Sequence, residues 1–192
     1  MPTIERLSPD RYRRLPWKNG RGELVLIDGE GTDKWEDMGV AWHFGRTAIV
    51  EEGPFSDYSG YERLQVVIKG TGLLLMAPDH EIELRNALEP RRYDGGTPIR
   101  TRLECGPVEV VNLIADRQRF DIDLRVGRTN TKLRCPPGRH LVFAPTGVAR
   151  VIADRTACDL PEEHALRLET NEESTIHVLE GTVLVGSICD KT

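Results

Sequence analysis

Hydrophobic and polar positions alternate along this chain in short runs, and glycine and proline separate one run from the next. Runs of this length and period are typical of β-strands. No stretch keeps the 3.6-residue period of an amphipathic helix over about three turns. The strand candidates are 23–28, 40–50, 61–69, 73–76, 80–85, 97–103, 108–114, 120–126, 139–144, 147–153, 164–168, 175–180 and 182–188. The pattern predicts an all-β fold, either a sandwich or a barrel.

The run 40–50 has two unlike faces. Trp42 and Phe44 fall on a bulky face, whereas His43, Gly45 and Thr47 fall on a face of otherwise small residues. Small neighbours leave room beside the imidazole of His43. The side chain is therefore either a ligand contact or a histidine whose hydrogen bonds are satisfied within the fold.

The strand pattern starts again after about Arg117. Gly70 turns one strand into the next in the first half, and Gly181 does so in the second half. No flexible Gly/Ser linker separates the halves. We therefore expect an N-terminal half, 1–118, that carries a pocket, and a C-terminal half, 119–192, with both packed as one unit.

The segment 15–22 precedes the first predicted strand and has the composition of a shaped loop. Pro16 fixes one φ angle, and two glycines permit positive φ. The loop would present Lys18, a point cation, and Asn19, which both donates and accepts hydrogen bonds. The alternative is a structural turn that Trp17 anchors.

Composition and charge narrow the class of protein. The chain has 192 residues and a net charge of −5, without a Lys/Arg block that interleaves aromatic residues, so nucleic acid is not an expected partner. It has neither a signal-peptide pattern nor the roughly 18 apolar residues of a membrane helix. Its four scattered cysteines are typical of free thiols. We expect a cytoplasmic protein that does not bind membranes. The sequence is also compatible with a homodimer.

Two polar residues stand in apolar strand runs. Asn112 interrupts 108–114, and a buried amide there needs hydrogen-bond partners. It is either a structural hub or a ligand contact. Arg63 is the third residue of the run 61–69, where it is either an exposed partner in a salt bridge or the guanidinium that binds an anion.

Metal and nucleophile motifs are missing from the sequence. None of the five histidines forms H-x-H or H-E-x-x-H, and there is no G-x-S-x-G elbow. In the frame of the cupin metal motif, Ser56 and Tyr58 occupy the H-x-H positions, and Arg63 stands in place of the glutamate. A guanidinium there would repel a divalent ion, so we expect no metal and no cofactor.

The first half resembles the HutD/Ves family. The matching segments are 16–20 (P-W-K-N-G), 42–47 with 52–56 (W-H-F-G-R-T and E-G-P-F-S), 60–63 (G-Y-E-R), 70–72 (G-T-G) and 106–112 (G-P-V-E-V-V-N). The resemblance covers about residues 15–117. Two departures from the family pattern bear on the ligand, since His43 replaces an arginine and Gly45 replaces a serine.

The resemblance implies a fold and a biological role. The fold would be a bicupin, that is, two RmlC-like cupin barrels in one chain, without the usual metal site. The role would be that of a regulator of bacterial histidine utilisation, which binds a small pathway acid such as formylglutamate and restrains flux. The two departures imply that the ligand of this chain can differ from that of its relatives.

Three functional hypotheses follow. The first is a small-carboxylate binding protein whose ligand site contains the seven residues Lys18, Asn19, His43, Ser56, Tyr58, Arg63 and Asn112. The second is a metal-free isomerase or lyase in which His43 acts as general base near Tyr58. The third is an interaction protein with a vestigial pocket.

Overall fold

The computed structural model describes residues 2–16, 22–31 and 40–191, and this part of the chain consists of β-strands, loops and one short 3-10 helix, Pro9–Arg11. The strands are β1 (Thr3–Leu7), β2 (Arg13–Pro16), β3 (Glu23–Gly31), β4 (Val40–Ile49), β5 (Tyr61–Lys69), β6 (Leu73–Met76), β7 (Glu81–Leu84), β8 (Arg91–Asp94), β9 (Arg100–Leu103), β10 (Val108–Asp116), β11 (Phe120–Arg128), β12 (Lys132–Cys135), β13 (Gly138–Phe143), β14 (Ala149–Ala153), β15 (Thr156–Leu160), β16 (Ala165–Thr170), β17 (Ser174–Glu180) and β18 (Thr182–Asp190). The all-β prediction is confirmed. In the described ranges, no helix is long and apolar enough to cross a membrane.

Residues 13–119 form one compact unit of two sheets. The larger sheet has the strand order β2-β3-β4-β10-β5-β8, and the smaller has the order β7-β6-β9. Every strand pair in them is antiparallel. Val67 and Val110 of the larger sheet share one apolar cluster with Leu73 and Leu75 of the smaller sheet. This shared core stabilises the unit.

Strand β10 lies at the centre of the larger sheet, between β4 and β5. Asn112 pairs with Gly45 on one side and with Gln65 on the other. Two residues further along, Ile114 pairs with His43 and with Arg63. Since side chains two residues apart project from the same face of a strand, the register brings the predicted polar residues to one face of the sheet.

Residues 1–12 and 120–192 form the other compact unit. Its five-stranded sheet has the order β1-β16-β13-β18-β11, and its four-stranded sheet has the order β12-β17-β14-β15. Both sheets contribute to one apolar cluster, which includes Val142, Val151, Leu166 and Val185. Burial of this apolar cluster stabilises the unit.

The strands that the pattern misses are short or rich in charge, namely β1, β2, β8, β12 and β15. Among them, β1 also changes the composition of the two units. It pairs with β16 over five residues, Thr3 with Glu169 through Leu7 with Ala165. The first twelve residues therefore belong to the C-terminal unit, whereas the predicted division assigns them to the N-terminal half.

The turn glycines that suggest a duplicated pattern share one physical cause. Gly70 and Gly181 have φ angles of 80° and 82°, which favour glycine. A Cβ atom at Gly70 would lie 2.7 Å from the Pro107 carbonyl oxygen, and one at Gly181 would lie 2.5 Å from that of Val148. In both units, close approach of a second backbone therefore excludes a side chain at this turn.

Candidate functional site

Four buried polar side chains, His43, Arg63, Gln65 and Asn112, project from adjacent strands of the larger sheet in the unit 13–119. We call this set the polar cluster. Its members lie on β4, β5 and β10, and the same face of these strands continues into the apolar residues Val67 and Val110. One part of this face is therefore apolar core, and the other part carries hydrogen-bonding groups and a charge.

Arg63 carries the charge of the cluster. Its side chain is buried, with 7% of the residue exposed. Its Nε and Nη2 atoms both donate to Oδ1 of Asn112, at 3.1 and 2.8 Å. Among the described residues, no carboxylate lies within 4.0 Å of the guanidinium. Arg63 is therefore a buried cation, not the exposed salt-bridge partner that the sequence left as an alternative.

Two aromatic rings contact the guanidinium of Arg63. Its Cζ atom lies 4.4 Å from the ring centroid of Phe55 and 5.5 Å from that of Tyr93. Both are cation–π contacts, which stabilise a guanidinium without neutralising it. The backbone N–H of Phe55 donates to the Ile99 carbonyl at 2.9 Å, which fixes the loop that carries this ring.

Gln65 belongs to the cluster, although it was absent from the predicted site. It is fully buried, and its Oε1 accepts a hydrogen bond of 2.9 Å from the Tyr93 hydroxyl. Its Nε2 atom has no hydrogen-bond partner among the described residues. The signal in the sequence is the one that Asn112 gives, a single amide within an apolar run.

His43 is an uncharged member of the cluster. Burial and the neighbouring charge of Arg63 lower the pKa of its imidazole to about 3. Its ring lies 6.2 Å, centroid to centroid, from the ring of Tyr58, whose pKa is raised by burial. The Tyr58 N–H donates to the Gly95 carbonyl at 3.0 Å, which joins this loop to the end of β8. Both rings are therefore neutral at pH 7.

The remaining predicted site residues lie elsewhere. Lys18 and Asn19 fall outside the described residues. Ser56 is exposed in the loop between β4 and β5, and within the described ranges no hydrogen bond joins it to the polar cluster. The structure thus brings together His43, Tyr58, Arg63 and Asn112 of the predicted set and adds Phe55, Gln65 and Tyr93.

Potential metal ligands are dispersed in the part of the chain that the structure describes. No group of three or more His, Cys, Asp or Glu residues is placed to hold a metal ion there. The four cysteines are free thiols, with Cys135 and Cys158 buried and Cys105 exposed. The donors of the polar cluster are amide, imidazole and guanidinium groups, a set suited to an anionic or polar ligand.

Comparison with known proteins supports a family assignment. The family model described as HutD matches residues 9–185. A protein of Pseudomonas putida, named as an uncharacterized 21.2 kDa protein in the hutC 3' region, is 29% identical over 193 residues, covering 98% of this chain and 96% of that protein. The structure of HutD from Pseudomonas fluorescens SBW25 is 25% identical in sequence and has a TM-score of 0.83. The match covers 99% of this chain and 100% of that chain.

The fold is shared more widely. A conserved protein of unknown function from Pseudomonas aeruginosa PAO1 has a TM-score of 0.85 at 23% identity and covers 97% of this chain and 98% of that one. Proteins of cupin-like fold are also similar in structure. Because the family model spans nearly the whole sequence, this chain belongs to the HutD family.

Proposed function

We propose that the unit 13–119 binds a small carboxylate at Arg63. The observation that carries this proposal is a buried guanidinium without a carboxylate partner among the described residues. A buried charge is costly unless it is paired, so such a residue is destabilising in the free protein. A ligand that supplies the missing negative charge would remove this cost.

The hydrogen bonds of Arg63 leave a suitable edge for that ligand. Asn112 accepts from Nε and Nη2, on one edge of the guanidinium. The other edge, formed by Nη1 and the second hydrogen of Nη2, has the fork geometry that binds both oxygens of a carboxylate. Phe55 and Tyr93 lie against the guanidinium and favour an approach in its plane.

The electrostatics of the cluster favour binding over acid–base catalysis. A general base works best with a pKa near the operating pH, and the pKa of His43 is about 3. The raised pKa of Tyr58 makes that phenol a weak acid. A proton transfer that charges both rings would therefore be strongly unfavourable, whereas neutral donors and acceptors suit recognition.

Family membership supports a role in histidine utilisation, in which this protein would bind an acid of that pathway. The name of the Pseudomonas putida relative refers to hutC, and the Pseudomonas fluorescens structure carries the name HutD. We also propose a bicupin arrangement, in which each unit is one cupin-like barrel. The cupin-like neighbours and the two sheets of each unit support that arrangement.

A thermal-shift screen tests carboxylate binding. The ligands are formylglutamate, urocanate, glutamate, histidine and sugar acids, followed by calorimetric titration of those that stabilise the protein. At 100 times its Kd, a ligand stabilises the fold by about 2.7 kcal/mol, which raises Tm by about 5–10 °C. We expect at least one acid of this set to produce such a shift.

Variants at Arg63 identify the site. Arg63→Met keeps an unbranched side chain that can contact both rings, and we expect it to fold and to lose the ligand-induced shift. Arg63→Lys keeps the charge without the planar fork and should give a smaller shift. Arg92→Ala removes an arginine from the opposite face of the sheet, where it forms an ion pair with Glu62, and should behave as wild type. Absence of any shift in the wild type, or an equal shift in Arg63→Met, would overturn the proposal.

A further inference from the structure

Gln65 offers a hydrogen-bond donor that the described protein does not use. Its Oε1 accepts from the Tyr93 hydroxyl, and its Nε2 lacks a partner among the described residues while the residue is fully buried. A buried donor left without an acceptor costs more than a typical hydrogen bond contributes. The hydrogen bond from Tyr93 needs only the amide oxygen, so the donor nitrogen has a use that the unliganded protein does not show.

The position of Gln65 relates this donor to the proposed carboxylate site. Gln65 lies two residues from Arg63 on β5, on the same face, at a Cα spacing of about 7 Å. It pairs in register with Asn112, which anchors the guanidinium. Tyr93 joins the two residues, because its ring lies against Arg63 and its hydroxyl orients the amide of Gln65.

The chemistry of Gln65 selects the group it would bind. An amide N–H donates to an oxygen without contributing charge. A second carboxylate beside it would be a buried charge facing a neutral amide, which is costly. A carbonyl oxygen of a ketone, amide or ester accepts the same hydrogen bond at no such cost.

We propose that Gln65 is a specificity-determining residue, whose Nε2 donates to an uncharged carbonyl oxygen of the bound ligand. This inference rests on the proposed binding of a carboxylate at Arg63. It defines the ligand class as small carboxylates that carry a neutral carbonyl a few bonds from the carboxylate. Tyr93 is a positioning residue, because it fixes which end of the amide faces the ligand.

Matched pairs of acids test this inference. The probes are 4-oxopentanoate against pentanoate and 5-oxohexanoate against hexanoate, which differ only in a carbonyl in place of a methylene. Titration calorimetry gives Kd for each with the full-length protein. For at least one pair, we expect the oxo acid to bind about three- to tenfold more tightly to the wild type, as one additional hydrogen bond implies.

The variants show whether Gln65 causes this preference. Gln65→Met, close in size to glutamine but without donors, should bring the Kd ratio of each pair to about one. Tyr93→Phe, which frees the amide to rotate, should reduce the ratio and provides a second measurement if Gln65→Met folds poorly. Arg92→Ala should keep the wild-type ratio.

The outcomes distinguish the role of Gln65 from the proposed binding of a carboxylate at Arg63. Equal Kd values for both members of each pair in the wild type would show that Gln65 does not recognise a carbonyl group. A preference that persists in Gln65→Met and Tyr93→Phe would show the same. Neither result would contradict carboxylate binding at Arg63. If the wild type binds none of the four acids, the ligand class that we assign to Gln65 is wrong, whereas carboxylate binding at Arg63 is decided by the thermal-shift screen and the Arg63→Met variant. A preference that is lost with Gln65 supports both.

Discussion

Burial strongly alters the ionisation of His43. Only 3% of it is exposed, and the guanidinium of Arg63 repels a second positive charge nearby. Desolvation is the larger of the two causes that lower its pKa to about 3. A histidine at this position thus supplies a neutral ring to the polar cluster, whereas an arginine would supply a second charge.

The lowered pKa of His43 predicts a loss of stability in mild acid. The unfolded chain binds a proton at this residue below about pH 6.5, while the folded chain does so only near pH 3. The free energy of unfolding should therefore fall by about 1.4 kcal/mol per pH unit in this window, or about 2 kcal/mol by pH 5. Urea denaturation at pH 7, 6 and 5 measures this slope.

The variant His43→Gln isolates the contribution of His43 to the pH dependence of the free energy of unfolding. Glutamine stays neutral, so the slope between pH 6.5 and pH 5 should decrease by the share of His43. The slope that remains would include His140, whose pKa is also lowered by burial. Equal slopes for the wild type and His43→Gln would show that burial of the imidazole does not control acid stability.

Single residues differed in how well the sequence predicted them. Asn112 stood out because one amide interrupts an apolar run, and it does bind the guanidinium of Arg63. Gln65 interrupts the next strand of the sheet in the same manner, so the same rule would have identified it. Phe55 and Tyr93 could not be identified this way, because an aromatic residue near a turn is compatible with ordinary packing.

At the scale of elements, a close backbone contact at one glycine helps to place β3 against β4 in the larger sheet. β3 pairs with β4 and shifts register between Leu26 and Asp28. At Gly45, a Cβ atom would lie 2.8 Å from the Val25 carbonyl oxygen and 2.8 Å from Cδ1 of Leu24. The glycine thus permits β3 to lie close to the strand that carries His43.

This contact predicts a cost for any side chain at position 45. We expect Gly45→Ala and Gly45→Ser to lower the free energy of unfolding by about 1–3 kcal/mol, since a backbone oxygen cannot rotate away as a side chain can. Gly53→Ala is the matched control, because a Cβ atom there meets nothing within 4 Å, and its stability should stay close to wild type. A neutral Gly45→Ser would contradict the proposed close packing of β3 on β4.

The sequence predicts the long central strands of the larger sheet, but it does not predict the short strand β8, which carries Tyr93 of the site. β5 and β10 are apolar over most of their length, so their pattern is clear. β8 has only four residues, three of them charged, and it resembles a loop in sequence. Its pairing with β5 sets Tyr93 opposite Arg63, and this cross-strand register depends on contacts that a local pattern does not contain.

At the scale of the whole molecule, the two units share a plan but differ in their interiors. The C-terminal unit buries His140 and Ser187 beside its apolar cluster, but these side chains hydrogen-bond to each other at 2.9 Å, and His140 also donates to the Pro136 carbonyl at 2.8 Å. The N-terminal unit interrupts its core with the polar cluster around Arg63. This difference between the two interiors favours ligand binding by the unit 13–119, with the other unit contributing chiefly to stability.

The N-terminal strand is the feature of the whole molecule that no local pattern could predict. β1 pairs with β16, more than 150 residues away in the chain. Ile4 packs against the apolar cluster of that unit, and Glu5 forms an ion pair of 3.0 Å with Arg167. Since most of its side chains are exposed, the strand lacks the alternation that identifies a half-buried strand.

Removal of β1 should therefore destabilise a unit that is encoded almost entirely at the other end of the chain. We expect deletion of residues 2–7 to lower the urea midpoint, because Ile4 and the buried Leu7 lose their packing. Glu5→Gln breaks only a partly exposed ion pair and should change the free energy of unfolding by less than about 1 kcal/mol. The deletion also exposes the edge of β16, so it should promote association in size-exclusion chromatography. An unchanged midpoint and elution volume would mean that β16 does not depend on β1 as its edge partner, and that the C-terminal unit is stable from residue 120 onward.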